Sequence, residues 1–201
     1  HDVRGSVRSA ARGQELRAAL APHLPAEALA RLRLVTLDLL QEAGWAEAMA
    51  GVTALVHTAS PFPIAQPKNP DEVIRPAVEG TRRALEAAAA AGVGRVVLTS
   101  STVAVLNESL EGVQDEEDWC DLSLPSTTAY ARSKTLAERL AWDIARDRGL
   151  HLTTINPGMV LGPPLDADTG SSVGLVKRIL SGKDPMLPPF GFPVVDVRDV
   201  A

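Results

Sequence analysis

Short apolar runs at Asp2–Arg8, Leu32–Asp38, Ala54–Thr58, Arg95–Ser100 and His151–Asn156 read as β-strands, and helical patterns fill the intervals between them. Strands that alternate with helices bury a common core as a parallel α/β layer structure, because each crossover lays a helix over the sheet. Ala54–Val56 and Val96–Leu98 are continuously apolar, which predicts strands covered on both faces. Asp71–Ala91 is rich in alanine and glutamate, and a second helix of about six turns is predicted from a capping Ser126 to Arg148, stopped by Gly149. The expected fold is a doubly wound, Rossmann-like parallel sheet.

The texture changes after Asn156. Proline- and glycine-rich segments, Pro157–Gly170 and Ser181–Pro193, flank a short helix around Ser172–Leu180. The expected organisation is a nucleotide-binding domain over 1–161, a substrate-side region over 162–193, and a strand over 194–201 that returns to the core. Both ends are abrupt: His1–Arg4 reads as the middle of an α/β repeat, and Val195–Val200 as a strand-to-helix junction. The chain is therefore expected to be truncated at both ends, lacking a first βα unit with its glycine-rich, pyrophosphate-binding turn. The Gly-x-Gly at Gly92–Gly94 precedes a strand and reads as a helix stop.

Composition removes several function classes. A net charge of −5 with no block of basic residues argues against nucleic acid as a partner. A single cysteine, Cys120, rules out an internal disulfide and any Cys-Cys metal spacing, and fits a reducing cytoplasm. No apolar run approaches the ~18 residues of a membrane span, and His1, His23 and His151 show no ligand spacing, so no metal site is expected. His57 ends a strand and reads as a packed histidine; the acidic run Asp115–Asp118 reads as a solvated loop.

Tyr130 and Lys134 stand four residues apart, one turn along the same helix face. A neutral phenol is a weak acid until a cation favours its phenolate, and the lysine supplies that cation. Only four of the 20 basic residues are lysines, and Tyr130 is the one tyrosine. A lysine kept beside it in so arginine-rich a chain points to a compact ammonium that guanidinium cannot replace. Thr99–Ser101 follow an apolar strand at its carboxyl end, where ligands bind in open α/β sheets. A hydroxyl there can orient a carbonyl, or it can simply satisfy backbone groups at the strand-to-loop transition.

Several motifs in order, Val3–Arg8, Asp38–Leu39, Val56–Pro61, Val73–Thr81, Leu98–Ser101, Asp115–Glu116 with Trp119, Tyr130–Lys134 and Asn156–Pro163, resemble the extended short-chain dehydrogenases/reductases. The resemblance is nearest to the branch of dihydroflavonol reductases, cinnamoyl-CoA reductases and microbial aldehyde reductases. It implies that Ser101 binds the substrate oxygen, Tyr130 donates a proton, and Lys134 also bonds the nicotinamide ribose. It further implies Asp38 and Leu39 at the adenine, Thr58, Ala59 and Ser60 along the ribose and pyrophosphate, and Pro157, Gly158 and Val160 at the nicotinamide carboxamide. Ser172 is expected to reach the cofactor, and Trp119 to wall the substrate pocket.

NADP is the expected cofactor. Strand one ends at Val7–Arg8 with no acid before Glu15, where an NAD site places one on the ribose 2′-hydroxyl, so Arg8 should meet a 2′-phosphate. Arg4 shares its strand face by alternation, and Arg12 stands nearby. The leading reading is NADPH-dependent reduction of an aldehyde or ketone by a monomer or homodimer. Nucleotide-sugar epimerisation or dehydration uses the same three residues, and a non-catalytic NADP sensor shares the fold. Phe62, Pro63 and Ile64, with Met186–Phe190, offer an apolar wall suited to an aromatic or aliphatic carbonyl.

Overall fold

The computed structural model describes residues 1–62, 66–165, 170–182, 191 and 193–201. Pro63, Ile64 and Met186–Phe190 lie outside the described residues. The chain divides into two compact units, His1–Asn156 and Pro157–Ala201.

The first unit runs β1 (Val3–Val7), α1 (Ala10–Leu20), α2 (Ala26–Ala30), β2 (Leu32–Thr36), α3 (Trp45–Met49), β3 (Ala54–His57), α4 (Asp71–Ala90), β4 (Arg95–Thr99), a 3₁₀ turn (Thr102–Ala104), α5 (Ala129–Arg148) and β5 (His151–Ile155). Each strand begins and ends within two residues of its sequence-based prediction. All pairings are parallel: β1 pairs with β2, while β3, β4 and β5 form a second ladder in that order.

Helices α4 and α5 pack on each other and close one face of the second ladder. Leu85, Ala84 and Ala88 from α4 and Ala141 and Ile144 from α5 are buried against Val96 and Leu98 of β4. Trp45 and Met49 of α3 and Leu37 extend this cluster. Arg4 is drawn into the same framework: its guanidinium donates to the carbonyls of Glu47, Ala48 and Ala50 at 3.2, 2.7 and 2.9 Å, satisfying the end of α3.

Two local expectations are corrected. Val56 is 65% exposed, so β3 is not covered on both faces. Its Leu55 and His57 face the helices, whereas Val56 points to the opposite side, where no described helix packs on it. The cap of α5 is Thr128 rather than Ser126: the Thr128 hydroxyl accepts from the Ala131 amide at 3.1 Å, while Ser126 donates to Glu108 at 2.8 Å. The stop at Gly149 holds, with φ of 68°, a left-handed conformation that glycine adopts without steric cost.

The second unit contains β6 (Met159–Leu161), α6 (Gly170–Leu180), β7 (Val194–Asp196) and α7 (Val197–Val200), with β6 and β7 parallel. Gly158 lies against the Pro193 carbonyl so closely that a Cβ would stand 2.2 Å from its oxygen. The Met159 amide donates to that same carbonyl at 2.7 Å. Only glycine fits there.

Candidate active site

Parallel register sets the carboxyl ends of β3, β4 and β5 level, with His57 beside Leu98 and Leu98 beside Thr154. The residues that follow each strand therefore gather at one edge: Thr58–Ser60 after β3, Ser100 and Ser101 after β4, and Asn156 after β5. Ser101 caps the 3₁₀ turn, its hydroxyl oxygen accepting from the Val103 amide at 3.4 Å. That leaves its hydroxyl hydrogen free to donate.

Helix α5 carries Tyr130 and Lys134 to the same edge. The Ser101 hydroxyl stands close enough to the half-buried Tyr130 phenol to act on its acidity. Burial pushes the phenol above its ordinary value, and the nearby Ser101 hydroxyl acts in the opposite sense. Lys134 is buried, with its ammonium 6.0 Å from the Tyr130 ring centre and donating to the Thr99 carbonyl at 3.1 Å. Burial brings it down to about 8, and the carboxylate of Glu138 works against the shift. Ser101, distant in sequence, is thus brought to Tyr130 and Lys134.

The remaining predicted residues belong to both units. Thr58 and Ala59 are exposed, and the Ser60 hydroxyl is buried without a partner among the described residues. Asp38 accepts from the Leu40 amide at 2.8 Å in a local turn, and Leu39 packs on Gly80 of α4. Arg8 is exposed just beyond β1. Arg12 is ion-paired to Glu15 at 2.8 Å. Pro157, Gly158, Val160 and Ser172 belong to the second unit and are all partly buried there.

His57 is buried, and desolvation, aided by the charge of Lys134, lowers it to about 4, so it is neutral at ordinary pH. Its Nε2 has no partner among the described residues. Trp119 stacks under the Arg139 guanidinium at 4.9 Å. Among the described residues no group of histidine, cysteine or carboxylate side chains could hold a metal ion, and no helix is long and apolar enough to cross a membrane.

Two residues at this edge escaped the sequence reading. Glu138 is buried one turn beyond Lys134, and Asn156 donates to its carboxylate at 2.9 Å and to the Ser101 carbonyl at 3.2 Å. The spacing of Tyr130, Lys134 and Glu138 by fours is the available signal for the first; the second opens the Asn156–Pro163 motif, but nothing local marks the contacts it makes.

A parallel α/β fold with serine, tyrosine and lysine gathered at the carboxyl ends of its strands is that of the short-chain dehydrogenases/reductases. The chain belongs to the NAD dependent epimerase/dehydratase family, whose model matches residues 1–201. It is 38% identical over 176 residues to cinnamoyl-CoA reductase 1 of Arabidopsis thaliana, covering 85% of this chain and 50% of that protein. To an anthocyanidin reductase of Vitis vinifera it is 34% identical over 170 residues, covering 80% and 50% respectively. The chain thus spans about half the length of the curated relatives it matches. Among solved structures, yeast methylglyoxal/isovaleraldehyde reductase Gre2, complexed with NADPH, superimposes with a TM-score of 0.84 at 27% identity, covering all of this chain and 65% of that one.

Proposed function

We propose that this chain forms the nucleotide-facing and proton-donating part of an NADPH-dependent reductase of aldehydes or ketones. The observation that carries the reading is the convergence of Ser101, at the end of β4, with Tyr130 and the buried Lys134 ammonium, which lies 6.0 Å from the Tyr130 ring centre and is held by the Thr99 carbonyl. Three groups able to stabilise or protonate a developing alkoxide converge there, and no metal is needed for that step.

A bound reduced nicotinamide supplies the hydride. The rest of the chemistry belongs to side chains of this chain. Ser101 donates its free hydroxyl hydrogen to the carbonyl oxygen and orients it. Tyr130 transfers its proton to that oxygen as negative charge develops. Lys134 then faces the resulting phenolate and keeps it a weak enough base to be formed at neutral pH.

The residues present fit such a nucleotide. After donating to Thr99, the Lys134 ammonium has two hydrogens left for ribose hydroxyls. The buried Ser60 hydroxyl wants a partner, Thr58 and Ala59 are open to one, and Arg8 is exposed where a 2′-phosphate can meet it. Asp38 and Leu39 are assigned to the adenine, and Pro157, Gly158, Val160 and Ser172 to the nicotinamide side. Gre2, with its NADPH, and the named reductases among the relatives support the same reading. We assign a small-molecule carbonyl substrate, a cytoplasmic location suited to the free Cys120, and a monomer or homodimer.

The test is a panel of aromatic and aliphatic aldehydes and ketones with the full-length protein, following NADPH absorbance, alongside a panel of nucleotide sugars. Oxidation of NADPH with carbonyls and no conversion of sugars is expected. Turnover of a nucleotide sugar without carbonyl reduction would replace the reductase reading with epimerisation or dehydration.

A further inference from the structure

Beside Lys134 lie the buried Glu138 and its partner Asn156, which the proposed chemistry does not use. Tyr130, Lys134 and Glu138 recur every fourth residue along α5, each about 6 Å further along the axis. Glu138 is only 4% exposed. A carboxylate that deep in a fold is costly unless charge and hydrogen bonds compensate it. Asn156 provides one bond, at 2.9 Å, and with its other amide hydrogen reaches the Ser101 carbonyl at 3.2 Å.

Lys134 provides the opposite charge, but the two do not form a direct ion pair; each instead lines a small cavity shared with Ser60, Ser100, Thr81 and the Thr99 segment. The cavity has about 10 Å³ of space for a water's centre. Cavities of roughly this size seat one water when two to four polar groups face it. Ser60 and Ser100 both present buried hydroxyls with no partner among the described residues, and the ammonium and carboxylate complete the set.

We infer that Glu138 is a positioning residue: its buried carboxylate, anchored by Asn156, holds the Lys134 ammonium beneath Tyr130 through one water seated between them. The consequence for turnover rests on the reductase reading; the arrangement itself does not. The titratable groups facing Lys134 are Tyr130 and Glu138 from α5 and His57 from β3, while β4 presents the Thr99 carbonyl and Ser100, and α4 presents Thr81. His57 is neutral and Tyr130 protonated at rest, so Glu138 is the one negative charge among them. Its influence on Lys134 runs in the required direction, upward against burial.

The experiment is an NMR titration of lysine side chains labelled at the ε-carbon in the full-length protein, with the Lys134 signal identified by its loss in Lys134→Arg. Glu138→Gln keeps the shape and can still accept from Asn156, but removes the charge. Lys134 should titrate near 8 in the parent protein and about one pH unit lower in Glu138→Gln, the lower end of what one adjacent opposite charge contributes. The basic limb of the pH profile for carbonyl reduction should move down with it, while the rate at low pH is retained. An unchanged Lys134 titration in folded Glu138→Gln overturns the inference, as does a loss of rate that is uniform across pH. If Lys134 shifts but no carbonyl is reduced by the parent, the positioning role stands and the reductase reading fails. Should Glu138→Gln not fold, Glu138→Asp retains the charge one methylene further away and should give a smaller downward shift; no shift there also overturns it.

Discussion

The Phe62 ring meets the Tyr130 ring edge to face, with centroids 4.7 Å apart and planes at 69°. Phe62 is 55% exposed, so it adds little to the core and stands beside the Tyr130 phenol as an open apolar surface. Phe62→Ala should therefore leave thermal stability within about 1 kcal/mol of the parent. Such an aromatic contact is worth about 0.5–1.5 kcal/mol, so KM for an aromatic carbonyl should rise by up to about tenfold while kcat changes less. Steady-state kinetics with paired aromatic and small aliphatic substrates would separate the two; an equal effect on both would remove Phe62 from the substrate wall.

Tyr130→Phe deletes one oxygen and keeps the ring against Phe62, so folding and nucleotide binding should survive. Loss of a general acid typically costs ~10²–10⁴-fold in rate, and kcat should fall by that order. Ser101→Ala should cost less, because the acid remains in place, and Lys134→Arg should reduce both turnover and nucleotide affinity. With Lys134 held at about 8, the parent rate should decline as pH rises through that value and the ammonium loses its proton. Stopped-flow NADPH oxidation, with thermal unfolding as the folding control, reads all four. A folded Tyr130→Phe variant that keeps more than about a tenth of the parent turnover would remove the phenol from the reaction.

Arg8 stands exposed beyond β1 and makes no contribution to the buried core. Charge-assisted hydrogen bonds are worth roughly 1.5–3 kcal/mol, so Arg8→Ala should raise the NADPH Kd by about one to two orders of magnitude and barely alter NADH binding. Fluorescence titration with both nucleotides distinguishes this from a general weakening, in which the two would lose affinity together.

His57 offers a stability test independent of turnover. Its folded value of about 4 lies below the ordinary 6.5, so as pH falls through 6.5 the unfolded chain takes up a proton that the folded one refuses. The stability due to its neutral burial is complete above 6.5 and is lost progressively down to about 4, by roughly 3 kcal/mol at most. Glu79, held below its ordinary value chiefly by its hydrogen bond to Arg82, acts in the same sense but only as pH falls below the usual carboxylate value of 4.5. Urea unfolding between pH 5 and 7 therefore isolates the histidine: its slope against pH should flatten in His57→Gln, and a slope unchanged by that substitution would place the titrating group elsewhere.

Strand positions, the long helices α4 and α5, and the pairing of Tyr130 with Lys134 were legible in the sequence because periodicity and helix geometry act over a few residues. So was the stop at Gly149. The cap of α5 was misread by two residues, since Ser126 and Thr128 are equivalent as side chains and only the fold sends one to Glu108 and the other to the Ala131 amide. The exposure of Val56 was hidden for a related reason: an apolar run states what a strand can bury, and its neighbours decide which side is covered.

The linear chain by itself determined the parallel α/β architecture, the family, and the residue types that meet at the strand ends. Tertiary structure alone decided that Asn156 would join Glu138 to Ser101, across separations of 18 and 55 residues, and that Lys134 would be buried against the Thr99 carbonyl with its ammonium made more acidic. Those contacts depend on the register between β4 and β5 and on the seating of α5 against them. Burial and Coulomb forces act through space, so their effect on a lysine is set by what packs around it rather than by what precedes it in the chain.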